Sequence, residues 1–164
     1  MKYKTAEPLS HDDIKSYLDE CNRDGMVVGL CHGCFDILHI GHLRHFEFAK
    51  SLCDILIVSV TKDEFINKGP NRPVFEERMR ATLVAGLKPV NATFISSHET
   101  ASASISLVKP DNFYKGQDYS DPSNVSNPNF FKEKELVESL GGKIVFTEGE
   151  TNSSSQTFQK IQRS

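Results

Sequence analysis

Residues 31–45, CHGCFDILHIGHLRH, place two cysteines and four histidines in one short run. The run follows the apolar stretch MVVGLC (26–31) and leads into GHLRHFEFAKSL (41–52), whose apolar residues recur with helical period. A junction from a buried strand to a helix points unpaired backbone N–H groups into the space at the end of the strand. The chemistry of the run allows three sites: a metal clamp, a redox pair or a cradle for phosphates.

Outward from this run, β-rich segments alternate with segments of helical period. The predicted strands are MVVGLC (26–31), DILIVSV (54–60), NATFISS (91–97), DNFYKG (111–116) and GKIVFT (142–147). The second is almost uniformly apolar, which is expected of a strand that is covered on both faces. The alternation predicts an α/β fold, a Rossmann-like doubly wound parallel five-stranded sheet in a single domain with right-handed crossovers.

The helices are predicted from apolar stripes and from end signals. They are HDDIKSYLDECN (11–22) with Ser10 as N-cap, GHLRHFEFAKSL (41–52), FEERMRATLVAGL (75–87) with Pro73 as a helix-start residue, ETASASISLV (99–108), FFKEKELVESLGG (130–142) with a glycine C-cap, and SQTFQKIQ (155–162). In such a fold, ligands bind at the carboxyl ends of the strands, near the switch in strand order.

Composition narrows the possible functions. The chain has 164 residues, of which 38% are hydrophobic and 25% charged, as in ordinary globular domains. Its formal net charge of −3 argues against a nucleic-acid partner. No signal-peptide run or membrane-length apolar segment is present, so we expect a cytoplasmic protein without a membrane partner. The four cysteines do not resemble the dense framework of a secreted mini-domain.

The metal and redox alternatives depend on the cysteine pair. The spacing Cys31-x2-Cys34-x4-His39-x2-His42 supplies zinc ligands, but four intervening residues cannot form the hairpin and helix of a finger. A redox pair needs a thiol at a helix N-terminus, where its pKa is lowered. Here the helix is predicted to begin only near Gly41. A zinc or redox binding module stays open as the function from another class.

The phosphate alternative uses more of these residues. A buried strand runs into Gly33, and a helix opens at or just after His39. His39 and His42 are three apart and therefore neighbours on one helix face. Gly41 between them leaves room for a phosphate to approach the backbone. Two imidazole donors beside a helix N-terminus can stabilise the negative charge that grows on a phosphate during substitution.

The segment GCFDILHIGH (33–42) resembles the G-x-F-D-x-x-H-x-G-H signature of the cytidylyltransferase-like nucleotidyltransferases. The resemblance implies that a substrate phosphate attacks the α-phosphate of an NTP in line and that pyrophosphate leaves. It implies that His39 and His42 contact the triphosphate and the transition state. The nucleotide-binding residues it implies here are Gly33, Cys34, Phe35, Asp36 and Gly41. Mg²⁺ is implied as the cofactor, bound mainly through the triphosphate and water, with no protein metal ligands.

A second segment, KGPNRPV (68–74), resembles the K-G-P-x-R-P-V segment of the adenylyltransferase domain of ADP-heptose synthases. Lys68 matches a family lysine that contacts the phosphates, and Arg78 matches an active-site arginine. Arg72 either orients the substrate or braces the loop. The literal HIGH also occurs in class I aminoacyl-tRNA synthetases, but this chain is too short for one and lacks a K-M-S-K-S-like segment.

Two further segments extend the resemblance. VKPDNFYKGQDY (108–119) resembles the KPD-V-KG-DY segment of the same ADP-heptose synthase subgroup. This resemblance implies a nucleoside pocket shaped by Lys115, Gly116 and Asp118. For Lys115 and Asp118, ordinary polar positions at a strand end are an equal alternative. Near the C-terminus, Ser153, Ser154 and Ser155 stand in place of the family's S-T-T segment, where hydroxyls suit a β- or γ-phosphate. The glycerol-phosphate branch of the family has an arginine before this segment, where the present sequence has Phe146-Thr147. This difference disfavours glycerol phosphate as the acceptor.

Taken together, the resemblance implies one nucleotidyltransferase domain over residues 1–164, with its core at about 26–161. The expected reaction transfers a nucleoside monophosphate from ATP to a sugar 1-phosphate such as a heptose 1-phosphate. A cytidylyltransferase that uses CTP and an alcohol phosphate is the alternative, and a catalytically silent nucleotide-binding regulator is another. A homodimer is expected from the family. Relative to the shortest family members, the region 117–140 is an insertion and a candidate contact for the acceptor, whose identity its residues do not indicate.

Overall fold

The structure is a computed structural model that describes residues 6–23, 25–119 and 129–147. Its strands form one parallel sheet in the order β3-β2-β1-β4-β5. They are β1 (Val28–Gly33), β2 (Ile55–Thr61), β3 (Ala92–Ser96), β4 (Asn112–Gly116) and β5 (Lys143–Thr147). The predicted α/β class with a five-stranded parallel sheet is confirmed. The strand order reverses between β1 and β4, which places the switch point beside the histidine-rich run.

The helices cover both faces of this sheet. They are α1 (His11–Arg23), α2 (Ile40–Ser51), α3 (Glu77–Ala85), α4 (Ser102–Val108) and α5 (Asn129–Ser139). Ser10 caps α1 as predicted, because its Oγ accepts a hydrogen bond from the N–H of Asp13 at 3.1 Å. Gly141 follows α5 with φ of +88°, which is the left-handed conformation of a glycine C-cap. The predicted helix at 155–162 lies outside the described residues.

Two apolar clusters hold the layers together, one on each face of the sheet. The first joins α1, α4 and α5 to the sheet and includes Ile14, Leu30, Ile57, Ile105 and Val137. The second joins α2 and α3 to the other face and includes Phe46, Ala49, Val58, Ala81 and Val84. Every residue of β2 is buried, and its side chains alternate between the two clusters, as predicted for a strand covered on both faces. None of the described helices has the length and apolar character that a membrane span requires.

The start of α3 differs from the prediction. The helix begins at Glu77, and its first backbone bond runs from the N–H of Arg80 to the carbonyl of Glu76 at 3.0 Å. Pro73 is therefore not the helix-start residue. The reason is distant in sequence: the carboxylate of Asp36 accepts hydrogen bonds from the N–H groups of Val74 and Phe75, at 2.7 and 3.2 Å, which hold this segment as a loop.

Candidate active site

The candidate site is built around the first turn of α2, at the carboxyl end of β1. His39 is the N-cap of α2, in extended backbone conformation, and its Nδ1 accepts a hydrogen bond from the N–H of Gly41 at 3.1 Å. The Nδ1 atom of His42 accepts one from the N–H of His39 at 3.3 Å. The two rings thus satisfy backbone donors that the start of a helix leaves unpaired. Both imidazoles are tied to the backbone through the same nitrogen.

These bonds determine which ring atoms are available to a ligand. A neutral imidazole that accepts at Nδ1 carries its hydrogen at Nε2. Burial lowers the pKa of His39, and it lowers the pKa of His42 to about 3, with smaller contributions from His39, His45 and Lys68. Both rings are therefore neutral donors at neutral pH. Their centroids lie 3.9 Å apart, and within the described residues the buried Nε2 of His39 has no hydrogen-bond partner.

Phe35 supports this pair from below. The centroid of its ring lies 5.4 Å from that of His42, in an edge-to-face contact, and 5.2 Å from that of Phe46, in a tilted one. A Cβ at Gly33 would lie 2.9 Å from the Phe35 ring, so this close packing requires glycine. Gly33 and Phe35 thus support the histidines from within the fold. Gly41 supplies the N–H that orients His39.

Lys68 contributes a cationic group on the loop after β2. Its side chain is exposed, and in the part of the chain that the structure describes it has no ion pair. Its charge helps to lower the pKa of His42 and opposes the rise that burial causes in the pKa of Cys34. Lys68 therefore lies near the histidine run and has an ammonium group that is available to a phosphate.

Asp36 and Arg72 form a buried ion pair, with 2.5 Å between Arg72 Nε and Asp36 Oδ2. The side chains are 3% exposed for Arg72 and 0% exposed for Asp36. The other carboxylate oxygen of Asp36 receives the N–H groups of the following loop. Of the two roles left open for Arg72, this geometry supports the bracing of the loop.

Arg80 is a structural centre that the sequence did not reveal. Its side chain is fully buried and donates to the backbone carbonyls of Cys34, Thr61 and Phe75, and to Asp63 Oδ1 at 2.6 Å. It thereby joins the loops that follow β1 and β2 to the start of α3. Its neighbour in sequence, Arg78, is 71% exposed and pairs with Glu7 at 3.0 Å. The structure therefore buries Arg80 beneath the site and leaves Arg78 at the surface.

The end of β4 contains a second buried ion pair. Lys115 Nζ lies 2.7 Å from Glu133 Oε2, and it also lies over the rings of Phe113 and Tyr119 at 4.9 and 5.0 Å. Glu133 Oε1 accepts a hydrogen bond from the N–H of Ala101. Lys115 therefore links β4 to α5. Gly116 ends β4 at the same edge of the sheet, whereas the Asp118 side chain and Ser153, Ser154 and Ser155 lie outside the described residues.

The cysteines do not form the alternative site. Cys31 is fully buried in the second apolar cluster, and burial raises its pKa well above the ordinary value. Burial also raises the pKa of Cys34, so both thiols are protonated at neutral pH and are poor nucleophiles. Among the described residues, no group of three or more His, Cys, Asp and Glu side chains is placed to hold a metal ion. The geometry supports neither a zinc clamp nor a redox pair.

The described chain is an α/β protein with two neutral imidazole donors at a helix N-terminus beside the switch point of its sheet, which is where such folds offer a site for phosphates. Comparison with known families agrees with this class. Residues 30–156 match the family model described as cytidylyltransferase-like. The chain belongs to this family of nucleotidyltransferases, as the signature at residues 33–42 predicted.

The most similar relatives include bifunctional HldE proteins. The chain is 36% identical to that of Sulfurimonas denitrificans over 152 residues, which cover 92% of the chain and 30% of the relative. It is 38% identical to that of Paramagnetospirillum magneticum over 133 residues, which cover 80% of the chain and 26% of the relative. The chain thus spans less than a third of the length of these curated relatives.

Solved structures show the same fold. A lipopolysaccharide core biosynthesis protein from Thermoplasma volcanium superposes with a TM-score of 0.64 and 28% identity, covering 77% of this chain and 99% of that one. The pantoate-beta-alanine ligase of Francisella tularensis superposes with a TM-score of 0.58 and 18% identity, covering 89% of this chain and 70% of that one. At this low identity, the second likeness shows a shared fold alone.

Proposed function

We propose that this chain transfers a nucleoside monophosphate from an NTP to a phosphorylated small molecule and releases pyrophosphate. One observation carries the proposal: His39 and His42 place two neutral Nε2–H donors side by side at the start of α2. The acceptor phosphate attacks the α-phosphate directly, so the reaction needs no side-chain nucleophile. The reaction requires donors that stabilise growing charge, and this pair can supply them.

The roles follow from position and charge. The Nε2–H groups of His39 and His42 donate to oxygens of the α-phosphate, where negative charge increases in the transition state. The Lys68 ammonium neutralises the outer phosphates, and the N-terminus of α2 adds its partial positive charge. Because the imidazoles are fixed by backbone bonds, they need no reorganisation during the reaction.

Mg²⁺ is part of the proposal. The cation is held mainly by triphosphate oxygens and water, as Mg²⁺ commonly is at nucleotide sites. When bound, Mg²⁺ neutralises the negative charge of the triphosphate. The Lys68 ammonium then neutralises part of the negative charge that remains on the triphosphate.

We further propose ATP as the donor and a sugar 1-phosphate, such as a heptose 1-phosphate, as the acceptor. Three observations support this choice: the segment KGPNRPV, the bifunctional HldE relatives and the Thermoplasma lipopolysaccharide core biosynthesis protein. CTP with an alcohol phosphate is the second candidate, because the signature GCFDILHIGH is shared with CTP users. The family expectation of a homodimer is also a proposal, which light scattering on the purified protein tests.

A pyrophosphate-release screen tests the proposed function. ATP and CTP are each combined with a panel of sugar 1-phosphates and alcohol phosphates in the presence of Mg²⁺. We expect turnover to be fastest with ATP and a sugar 1-phosphate. It should fall at least about tenfold in His42→Ala and be kept in the surface variant Arg44→Ala. Nucleotide binding without pyrophosphate release from any pair would contradict the proposal and support a silent regulator.

A further inference from the structure

His45 is the second histidine within α2 and lies one turn after His42, on the same side of the helix. Its Nδ1 lies 2.7 Å from Oγ1 of Thr147, the last residue of β5. Thr147 Oγ1 in turn lies 3.3 Å from the backbone oxygen of Lys115 in β4. His45 therefore connects α2 to the carboxyl ends of β4 and β5, across the switch point from β1.

The two partners of the Thr147 hydroxyl determine which ring nitrogen of His45 carries the hydrogen. A carbonyl oxygen can only accept, so the single hydrogen of the Thr147 hydroxyl is donated to Lys115. The Thr147 oxygen must then accept from His45, whose hydrogen is at Nδ1. The Nε2 atom of His45 is consequently an acceptor. His39 and His42 have the opposite arrangement, with Nε2–H donors.

His32 offers an internal comparison. Its Nδ1 contacts Ser59 Oγ at 2.8 Å, and its Nε2 contacts Thr61 Oγ1 at 3.4 Å, so both nitrogens are satisfied between two strands. The Nδ1 atom of His45 likewise contacts a hydroxyl group, that of Thr147. The described residues provide no hydrogen-bond partner for its Nε2 atom. Burial, assisted by the charge of Lys115, lowers the pKa of His45 to about 4, which keeps the ring neutral.

We propose that Nε2 of His45 accepts a hydrogen bond from a sugar-ring hydroxyl of a substrate, which makes His45 a specificity-determining residue. Phosphate oxygens cannot be this partner, because at neutral pH they are acceptors as well. One helical turn beyond His42 is a displacement of about 5 Å, which matches the step from a phosphate to the sugar attached to it. The inference rests on the proposed function, since both substrates carry such a sugar: the ribose of the NTP and the ring of the acceptor.

Two variants of His45 test the proposal. His45→Phe keeps a ring but removes the acceptor, and His45→Gln restores a carbonyl oxygen near the position of Nε2. We expect His45→Phe to lower kcat/KM by about tenfold, the size of one lost buried hydrogen bond. We expect His45→Gln to recover most of the loss. Thermal unfolding of both variants checks that they are folded.

Deoxy analogues identify the source of the hydroxyl. The wild type should lose about tenfold in kcat/KM with one analogue, either a 2′- or 3′-deoxy NTP or a deoxy acceptor. His45→Phe should lose nothing further with that analogue. Thr147→Val frees the tautomer and should weaken the discrimination, whereas Thr147→Ser should keep it. This second pair remains informative if His45→Phe does not fold.

Two results would overturn the inference. In the first, His45→Phe has the same kcat/KM as the wild type. In the second, each deoxy analogue lowers kcat/KM of His45→Phe as much as it lowers that of the wild type. The latter is expected if His45 only supports Thr147. If the wild type releases no pyrophosphate with any pair, the proposed function fails separately. Equilibrium binding of NTPs, sugar phosphates and their deoxy analogues to the wild type and His45→Phe then decides: reduced discrimination supports the inference and equal discrimination overturns it.

Discussion

An imidazole at a helix N-cap is unusual, because the common N-cap residues are Ser, Thr, Asp and Asn, whose short side chains reach the backbone N–H groups. In this protein His39 takes that position, and His42 completes the reciprocal bond. The sequence predicted that the two rings are neighbours and that the helix opens near His39. It did not predict the capping bonds, because ring orientation depends on backbone geometry at the junction. Those bonds leave both Nε2–H groups for a ligand.

His42→Ala tests this arrangement at the residue scale. Losing one transition-state donor should lower kcat at least about tenfold. KM for the NTP should change less, because the donor acts mainly on charge that develops during the reaction. Steady-state pyrophosphate release measures both constants. Arg44→Ala, an exposed change on the same helix, is the matched control, and full turnover in His42→Ala would remove the proposed role.

Lys68→Ala tests the cation of the loop after β2. Removing an ammonium that binds the triphosphate should raise KM for the NTP by about tenfold, the effect of one charge-assisted contact. Lys62→Ala is the control, since the Lys62 ammonium already pairs with Glu64 at 2.7 Å. Titration with an NTP separates the two variants. Equal affinity in both would show that Lys68 does not contact the phosphates.

At the scale of elements, local patterns predicted the strands well and the loops poorly. Each strand was recognisable from its own β-rich segment, and β2 also from its almost uniformly apolar sequence. The loop before α3 was not, because it is held by Asp36 from a distant part of the chain. The structural role of Arg80 could not be predicted for the same reason, since its carbonyl partners belong to other loops.

Asp36→Ala should therefore destabilise the fold. It leaves the buried Arg72 guanidinium without its carboxylate, a loss of about 3–5 kcal/mol for a broken buried pair. Glu64→Ala is the control, because its pair with Lys62 is exposed and is worth less than about 1 kcal/mol. Urea unfolding followed by circular dichroism measures both changes. Similar urea midpoints for the two variants would show that the Asp36–Arg72 pair does not stabilise the fold.

The connection between α5 and β5 allows a second test of packing. A Cβ at Gly142 would lie 2.2 Å from the backbone oxygen of Pro110, which a side chain cannot displace cheaply. Gly142→Ala should cost about 1–3 kcal/mol in the free energy of unfolding, as other overpacked sites do. Gly86→Ala should cost far less, because its nearest atom is 3.5 Å away. Equal unfolding midpoints would show that the α5–β5 connection shifts freely.

At the scale of the whole molecule, the buried histidines couple stability to pH. The folded pKa values of His32 and His42 are lowered to about 3 and that of His45 to about 4. Burial is the main cause in all three. Below about pH 6.5, the unfolded chain binds protons at these rings and the folded protein does not. The free energy of unfolding should then fall as the pH is lowered from 6.5 towards 4.

Urea unfolding at pH 7.5, 6.0 and 5.0 measures this dependence. Each histidine that is neutral only in the folded state should contribute a slope of up to about 1.4 kcal/mol per pH unit. His45→Phe removes one titrating ring and should give a shallower slope than the wild type. A midpoint that does not change between pH 7.5 and 5.0 would contradict the burial of these rings.

The whole molecule also shows where the sequence is insufficient. The alternation of elements predicted a doubly wound parallel sheet, but the pairs Lys115–Glu133 and Asp36–Arg72 join residues far apart in sequence. Their partners depend on how the layers pack, and a single sequence does not display this. The same is true of His45, which contacts β5 only because α2 packs near the carboxyl end of that strand.

A crystal structure with a non-hydrolysable NTP analogue tests the central claim most directly. We predict that the Nε2 atoms of His39 and His42 lie within about 3 Å of oxygens on the α-phosphate, which is hydrogen-bonding distance. Rings that are remote from every phosphorus atom, or that surround a bound transition metal, would contradict it.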